Sequence, residues 1–346
     1  MDIAFIIEKV ILISVVLGIS LLTAMYTTLA ERKIAGFLQD RHGPNRAGPF
    51  GLLQPLADGI KLFTKEEIIP REANRFLFVL GPSLAMLMAC VGSAVIPWGE
   101  ELQIGGRTVS LQIADVNVGI LYIFGVVALG VYGIMIGGWA SNNKYSLLSA
   151  IRAASQNISY EISMGLSLIA LLMMTGTLSL GEIVEQQRGF NWNIWYQPLG
   201  FIIFITCSFA ETNRNPFDLV ECETELVGGY HTEYSSMKLG FFLFAEYINI
   251  FVASAVMSTL YFGGYNFPGM DALAEAGLAQ NWITLIGVAA LLIKILLFIF
   301  FFIWVRWTVP RFRYDQLMKL GWNILIPLAI ANIVITGLVM YFTGKV

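Results

Sequence analysis

Two carboxylates fall where a carboxylate is expensive. Glu161 and Glu246 lie inside long apolar runs. Insertion scales put a charged side chain at the bilayer centre at about 2.5–3.5 kcal/mol. One loop beside them gathers Glu211, Arg214, Asp218, Glu221, Glu223 and Glu225. Acids grouped at membrane depth can relay protons, pass ions or hold a polar ligand. The spacing of Asp218, Glu221 and Glu225 predicts one face of a short helix following the break at Asn215-Pro216. Like charges stacked there repel, so at least one should keep its proton to higher pH. Glu211 and Arg214 can pair if the preceding helix runs on. Arg152 is about 180° round a helix from Glu161, so each needs a partner on another element. Lys294 sits mid-span, too deep for its amine to reach the interface easily. Glu161, Glu211 and Glu246 are expected to face a common polar cavity. A structural reading stands beside each: an interhelical ion pair for the buried groups, and a solvated acidic loop for the cluster.

The elements that carry these residues follow from composition. The chain is 57% hydrophobic and 13% charged, against about 25% charged in a soluble domain. Apolar runs recur along its whole length, so it is read as one integral membrane domain, residues 1–346. The fold class is all-α: a polytopic helix bundle of about eight spans. They fall near 8–30, 76–97, 118–140, 159–178, 198–210, 238–262, 282–305 and 321–343, the fifth being short. The connecting segments about 31–75, 141–158, 211–238 and 306–319 hold 16 of the 21 Lys and Arg residues. The positive-inside rule makes these the inner loops and puts both termini outside. No signal peptide, tandem repeat or glycine-rich nucleotide loop is legible. Cys90, Cys207 and Cys222 have no metal or disulfide spacing, and two histidines are too few for haem or metal ligation. Cys222 reads as a small apolar filler.

The first inner loop breaks at Gly43-Pro44 and Gly48-Pro49. An amphipathic helix follows, with Leu52, Leu56, Ile60 and Phe63 on one face and Asp58, Lys61 and Lys65 on the other. Such a helix lies in the membrane interface. Glu31, Arg32, Lys33, Asp40, Arg41, Asn45 and Arg46 precede it, more mixed polarity than topology alone requires. In the last inner segment Arg306, Arg311 and Arg313 border the membrane, either as anchors or as functional groups.

Several strings together resemble a known family. They are ERKIAGFLQDRHGPNRAGPFGLLQPLADGIKLFTKE, RAASQNISYE, FAETNRNPFDLVECETEL with GGYHTEYSSMK, and VPRFRYDQLMKLGW. In this order, over nearly the whole chain, they resemble the quinone-chamber membrane subunit (the H-subunit) of proton-translocating NADH:quinone oxidoreductase, respiratory complex I. The resemblance implies a chain without a redox cofactor of its own and quinone as substrate. FMN and iron–sulfur clusters would sit in partner subunits. It implies peripheral-arm partners that carry the terminal cluster and the quinone head site, and small and antiporter-like membrane partners. The quinone tail would enter from the bilayer beside the first span and the interfacial helix. Quinone contacts would come from Arg32, Arg41, Asp58, Lys61, Arg214 and Glu223. Glu161, Glu211, Asp218, Glu221 and Glu246 would form the proton relay, with Lys294 a further family feature. The implied location is the bacterial plasma membrane, with the mitochondrial inner membrane as the alternative. No nucleic acid is implied. Rival readings are the equivalent membrane component of an energy-converting hydrogenase or formate hydrogenlyase, a stand-alone proton-coupled transporter, and a structural anchor.

Overall fold

The computed structural model describes residues 3–104 and 106–344, leaving aside the side chains of residues 4, 104, 223 and 224. Seven helices among them are long and apolar enough to cross a membrane. We label α1 (Ile3–Leu38), the interfacial α2 (Gln54–Thr64), α3 (Arg75–Val91), α4 (Gly119–Ala140) and α5 (Lys144–Thr175). Then come α6 (Pro198–Glu211), α7 (Ser236–Tyr261), α8 (Gln280–Thr308) and α9 (Tyr314–Thr343), the last carrying a π-helical stretch at Leu320–Leu325.

The expected bundle is present, with three differences. First, α6 has only 14 residues. At 1.5 Å per residue that is about 21 Å, short of the roughly 30 Å hydrocarbon layer. The segment just before its N-terminus buries the polar side chains of Gln187, Asn193 and Gln197. Second, α1 runs on to Leu38 and α5 starts at Lys144. Glu31 and Arg32 therefore stand on a rigid helix, and most of the expected second inner loop is helical. Hydropathy marks where apolar sequence stops, whereas hydrogen bonding lets a helix continue through polar turns. Third, the segment between α3 and α4 carries a small antiparallel hairpin, β1 (Glu101–Ile104) with β2 (Arg107–Ser110).

Helix ends follow local chemistry. Asn74 and Asn143 cap α3 and α5 by accepting from the Leu77 and Tyr145 amides. α3 and α4 approach at backbone contact. A Cβ on Gly133 would stand 2.7 Å from the Ala85 amide nitrogen, so only glycine fits this crossing. In the first loop, Gly51 has φ +77° and a Cβ there would meet the Pro44 carbonyl oxygen at 2.2 Å. That glycine folds the loop tightly before α2 begins.

Candidate functional site

Glu31 is the hub. It lies on the last turns of α1, buried at 6% exposure. Arg214, from the loop after α6, reaches it at 3.1 Å. Arg306 near the end of α8 pairs with its other oxygen, and the Tyr247 hydroxyl donates to it at 2.9 Å. Arg214 turns its Nε to Glu246 Oε1 at 2.6 Å and lays its guanidinium over the Tyr247 ring at 4.5 Å. Four elements thus meet in one buried network of two acids and two arginines. Arg214 is 3% exposed. Its burial works against its charge, and Glu246 and Glu31 more than offset that, so its proton is held even more firmly than usual.

The loop that delivers Arg214 is irregular through Cys222, and only one helical turn follows, at Glu223–Leu226, where the 3-4 spacing predicted a helix from Asp218. Gln156 of α5 donates to the carbonyls of Ala210 and Phe217, and the Phe312 amide donates to the Pro216 carbonyl. These long-range bonds take up backbone groups that a local helix would have used. The three acids separate as a result. Asp218 pairs with Arg311 at 2.9 Å, and Arg311 also reaches the Cys222 sulfur at 3.6 Å. Glu221 accepts from the Tyr230 hydroxyl at 3.3 Å and lies 3.6 Å from His231 Nδ1. Glu225 leaves for Arg152 at 2.7 Å. The raised proton affinity survives with a different cause. Burial, then the neighbouring Glu221, pushes Asp218 up to about 6 in spite of Arg311. Burial also raises Glu221, and it lowers His231.

A small cavity opens beside this network. Glu211, Glu221 and Glu246 line it, with Asn157, Tyr230 and Asn249. A second cavity shares Glu211, Thr212 and Asn249 and continues between α4, α5, α6 and α7. Its walls there are apolar: Ile123, Phe204 and Val256. Glu161 is absent from both linings, so the expectation of a common cavity for Glu161, Glu211 and Glu246 holds for the latter two alone. Glu161 is one turn beyond Asn157 and within electrostatic reach of Glu211. The expected Glu211–Arg214 pair is also absent. α6 ends at Glu211, and the turn after it swings Arg214 toward α1 and α7.

The first-loop residues form a separate group. Arg32, one residue round α1 from Glu31, points the other way and pairs with Asp58 at 2.7 Å. Lys61 lies 3.7 Å from the same carboxylate. Arg41 bonds Gln39 in an exposed turn. The Glu223 side chain lies outside the described residues. Leu52, Leu56, Ile60 and Phe63 of the α2 segment are all exposed, the pattern of an interfacial helix. Lys294 joins neither group. It donates to three backbone carbonyls beyond the C-terminal end of α7. Sequence reasoning missed Glu31 as the hub, and with it Tyr247, Tyr230 and His231. The available signal was an acid inside a basic string directly after an apolar run. Among the described residues no group of His, Cys, Asp and Glu is placed to hold a metal ion.

A family model described as NADH dehydrogenase matches residues 10–337. The chain belongs to that family. It is 67% identical over 333 residues to an NADH-quinone oxidoreductase H-subunit of Cytophaga hutchinsonii, covering 96% of each chain. It is 65% identical over 340 residues to the NADH-quinone oxidoreductase H-subunit of Flavobacterium johnsoniae, covering 98% of this chain and 97% of that one. At greater distance, the corresponding H-subunit of Leptospira biflexa is 51% identical over 312 residues, 87% of this chain and 86% of its own. The family resemblance carried by the loop strings is therefore correct. Within this NADH dehydrogenase family member, the polar strings are the segments that build the Glu31–Arg214 network and the first-loop group.

Proposed function

We propose that this chain is the membrane subunit of a proton-translocating NADH:quinone oxidoreductase that closes the membrane end of the quinone chamber. It works in a bacterial plasma membrane with both termini outside. FMN and the iron–sulfur clusters belong to peripheral partners, and the acids here carry protons. Names and identities of the relatives support the assignment. The observation that carries the mechanism is the contact of one arginine, Arg214, with both Glu31 and Glu246, beside the cavity lined by Glu211 and Glu221.

Quinone takes two electrons from the partner cluster and two protons to become quinol. Before protonation it carries added negative charge. That charge pulls on Arg214 and Arg311 and weakens their hold on the buried carboxylates. A carboxylate losing its arginine binds a proton more readily. In a low-dielectric interior such a change is felt over several ångströms. Asp218 and Glu221 therefore exchange protons near the chamber, and Glu246 and Glu211 pass the change into the cavity. Glu161 extends the path toward the neighbouring antiporter-like subunits. Arg32, Asp58 and Lys61 line the entrance beside α2, whose exposed apolar row suits an isoprenoid tail. Arg41 and Arg214 complete the polar side of the chamber.

The test is a gentle pull-down of the tagged chain from its native membrane, followed by NADH:quinone reductase assay with and without a quinone-site inhibitor. Inhibitor-sensitive activity with co-eluting iron–sulfur subunits is the expected result. Elution with hydrogenase subunits, or alone, contradicts the assignment.

A further inference from the structure

Lys294 has no part in the acid network, and its surroundings are unusual. The Nζ donates to the carbonyls of Phe262, Gly264 and Asn266 at 2.7, 2.7 and 2.6 Å. All three ammonium protons are thereby used on neutral acceptors rather than on a carboxylate. The Trp192 ring lies 5.2 Å from the charge. The turn it holds is fixed from other directions too. Gln187 accepts from the Gly263 amide and donates to the Thr259 carbonyl, Asn193 donates to the Leu260 carbonyl, and Asn266 donates to the Val184 carbonyl.

This turn follows the α7 residues that line one chamber and contributes Tyr265 to another. On the inner side the second cavity begins at Glu211 and last touches α7 at Val256. On the outer side an open basin is lined by Glu100, Glu101, Asp115, Glu182 and Glu185, and by Tyr265 from the turn itself. Residues 257–264, the end of α7 and the start of the turn, lie along the chain between those two linings. The basin attracts protons, and the inner cavity contains a carboxylate that would receive them. A leak between the two would dissipate the gradient.

We propose that Lys294 is an electrostatic proton barrier, which keeps protons of the outer acidic basin from reaching Glu211. A cation held by neutral groups raises the energy of an approaching proton, as fixed positive groups do in proton-excluding pores. Three carbonyls hold it in place without cancelling its charge. The inference rests on the reading of Glu211 as a proton-exchanging group, but its test does not depend on turnover.

The experiment uses the intact purified complex in liposomes with an imposed pH gradient, outer basin on the acid side and no NADH. Decay of the gradient is followed with a pH-sensitive dye. Lys294→Gln keeps two donors for the carbonyls and removes the charge. Its decay should be faster by roughly tenfold, the order that a unit charge about 12 Å from the path supplies at an effective dielectric of about 20. Lys294→Arg keeps the charge and should hold the gradient. Decay of Lys294→Gln at the wild-type rate overturns the proposal, as does Lys294→Arg leaking as fast as Lys294→Gln. Asn266→Asp leaves the lysine intact and puts a negative charge in the turn that holds it. It should leak as well, and it decides the question in the same way if Lys294→Gln fails to assemble. NADH:quinone reductase activity of the same preparations is read separately. Its absence in the wild-type complex would strike the functional assignment and not the barrier.

Discussion

Arg214 stands 2.6 Å from Glu246 and 3.1 Å from Glu31, joining α7 to α1 through a loop that belongs to neither. Removing one member of a buried charged set leaves the others uncompensated, at a cost of about 3–5 kcal/mol. Arg214→Leu should therefore abolish quinone reductase activity and deplete the assembled complex. The double variant Arg214→Leu with Glu246→Gln should recover part of the assembly but not the activity. Native gel quantification alongside the reductase assay separates the two effects. Assembly unaffected by Arg214→Leu would show that the network carries little of the packing.

Asp218 predicts a pH dependence. Its ordinary value of 3.8 is pushed up to about 6, by burial first and Glu221 second. Above about 6 it is a carboxylate paired with Arg311, and below that it is neutral and Arg311 is released. The folded protein binds this proton more tightly than the unfolded chain does. The group thus favours the folded state at low pH, and that contribution is lost as pH rises from near 4 through about 6. The pH profile of quinone reduction should show an inflection near 6 that vanishes in Asp218→Asn. The same inflection persisting in the variant would assign it to another group.

Arg32 and Asp58 form a partly exposed pair. Such pairs contribute about 0.2–1 kcal/mol, so Arg32→Ala should leave assembly intact. As an entrance residue it should raise the KM for quinone several-fold with little change in kcat. An unchanged KM would remove Arg32 from the quinone path.

Gly51 tests the fold of the first loop. Its φ of +77° and the 2.2 Å approach of a Cβ to the Pro44 oxygen make Gly51→Ala incompatible with the present turn. The variant should lose quinone reductase activity while electron transfer from NADH to an artificial acceptor continues. Full activity in both assays would mean that α2 does not need this turn.

The spans were legible because hydropathy over 20 residues is a strong, local signal. The α2 helix was legible for the same reason, through the periodicity of Leu52, Leu56, Ile60 and Phe63. The pairings were not. Glu31 and Arg214 are 183 residues apart, and Glu31 and Arg306 are 275 apart. No periodicity reports such contacts. The reading of Asp218, Glu221 and Glu225 as one helix face failed because Gln156 and Phe312 claim that backbone from a distance. Glu161 was placed in a common cavity on depth alone, and depth does not fix which way a side chain turns. The family strings carried what spacing could not: they named the loops that matter before any contact was known.

The central claim is that the cavity acids couple quinone reduction to proton transfer, and Glu211→Gln in the intact complex tests it most directly. Glu211 lines both cavities and has no role in the arginine network, so assembly should survive its neutralisation. Proton translocation per electron and NADH:quinone reductase rate, measured on the same vesicles, should both fall well below wild type. Wild-type values for both would contradict the account.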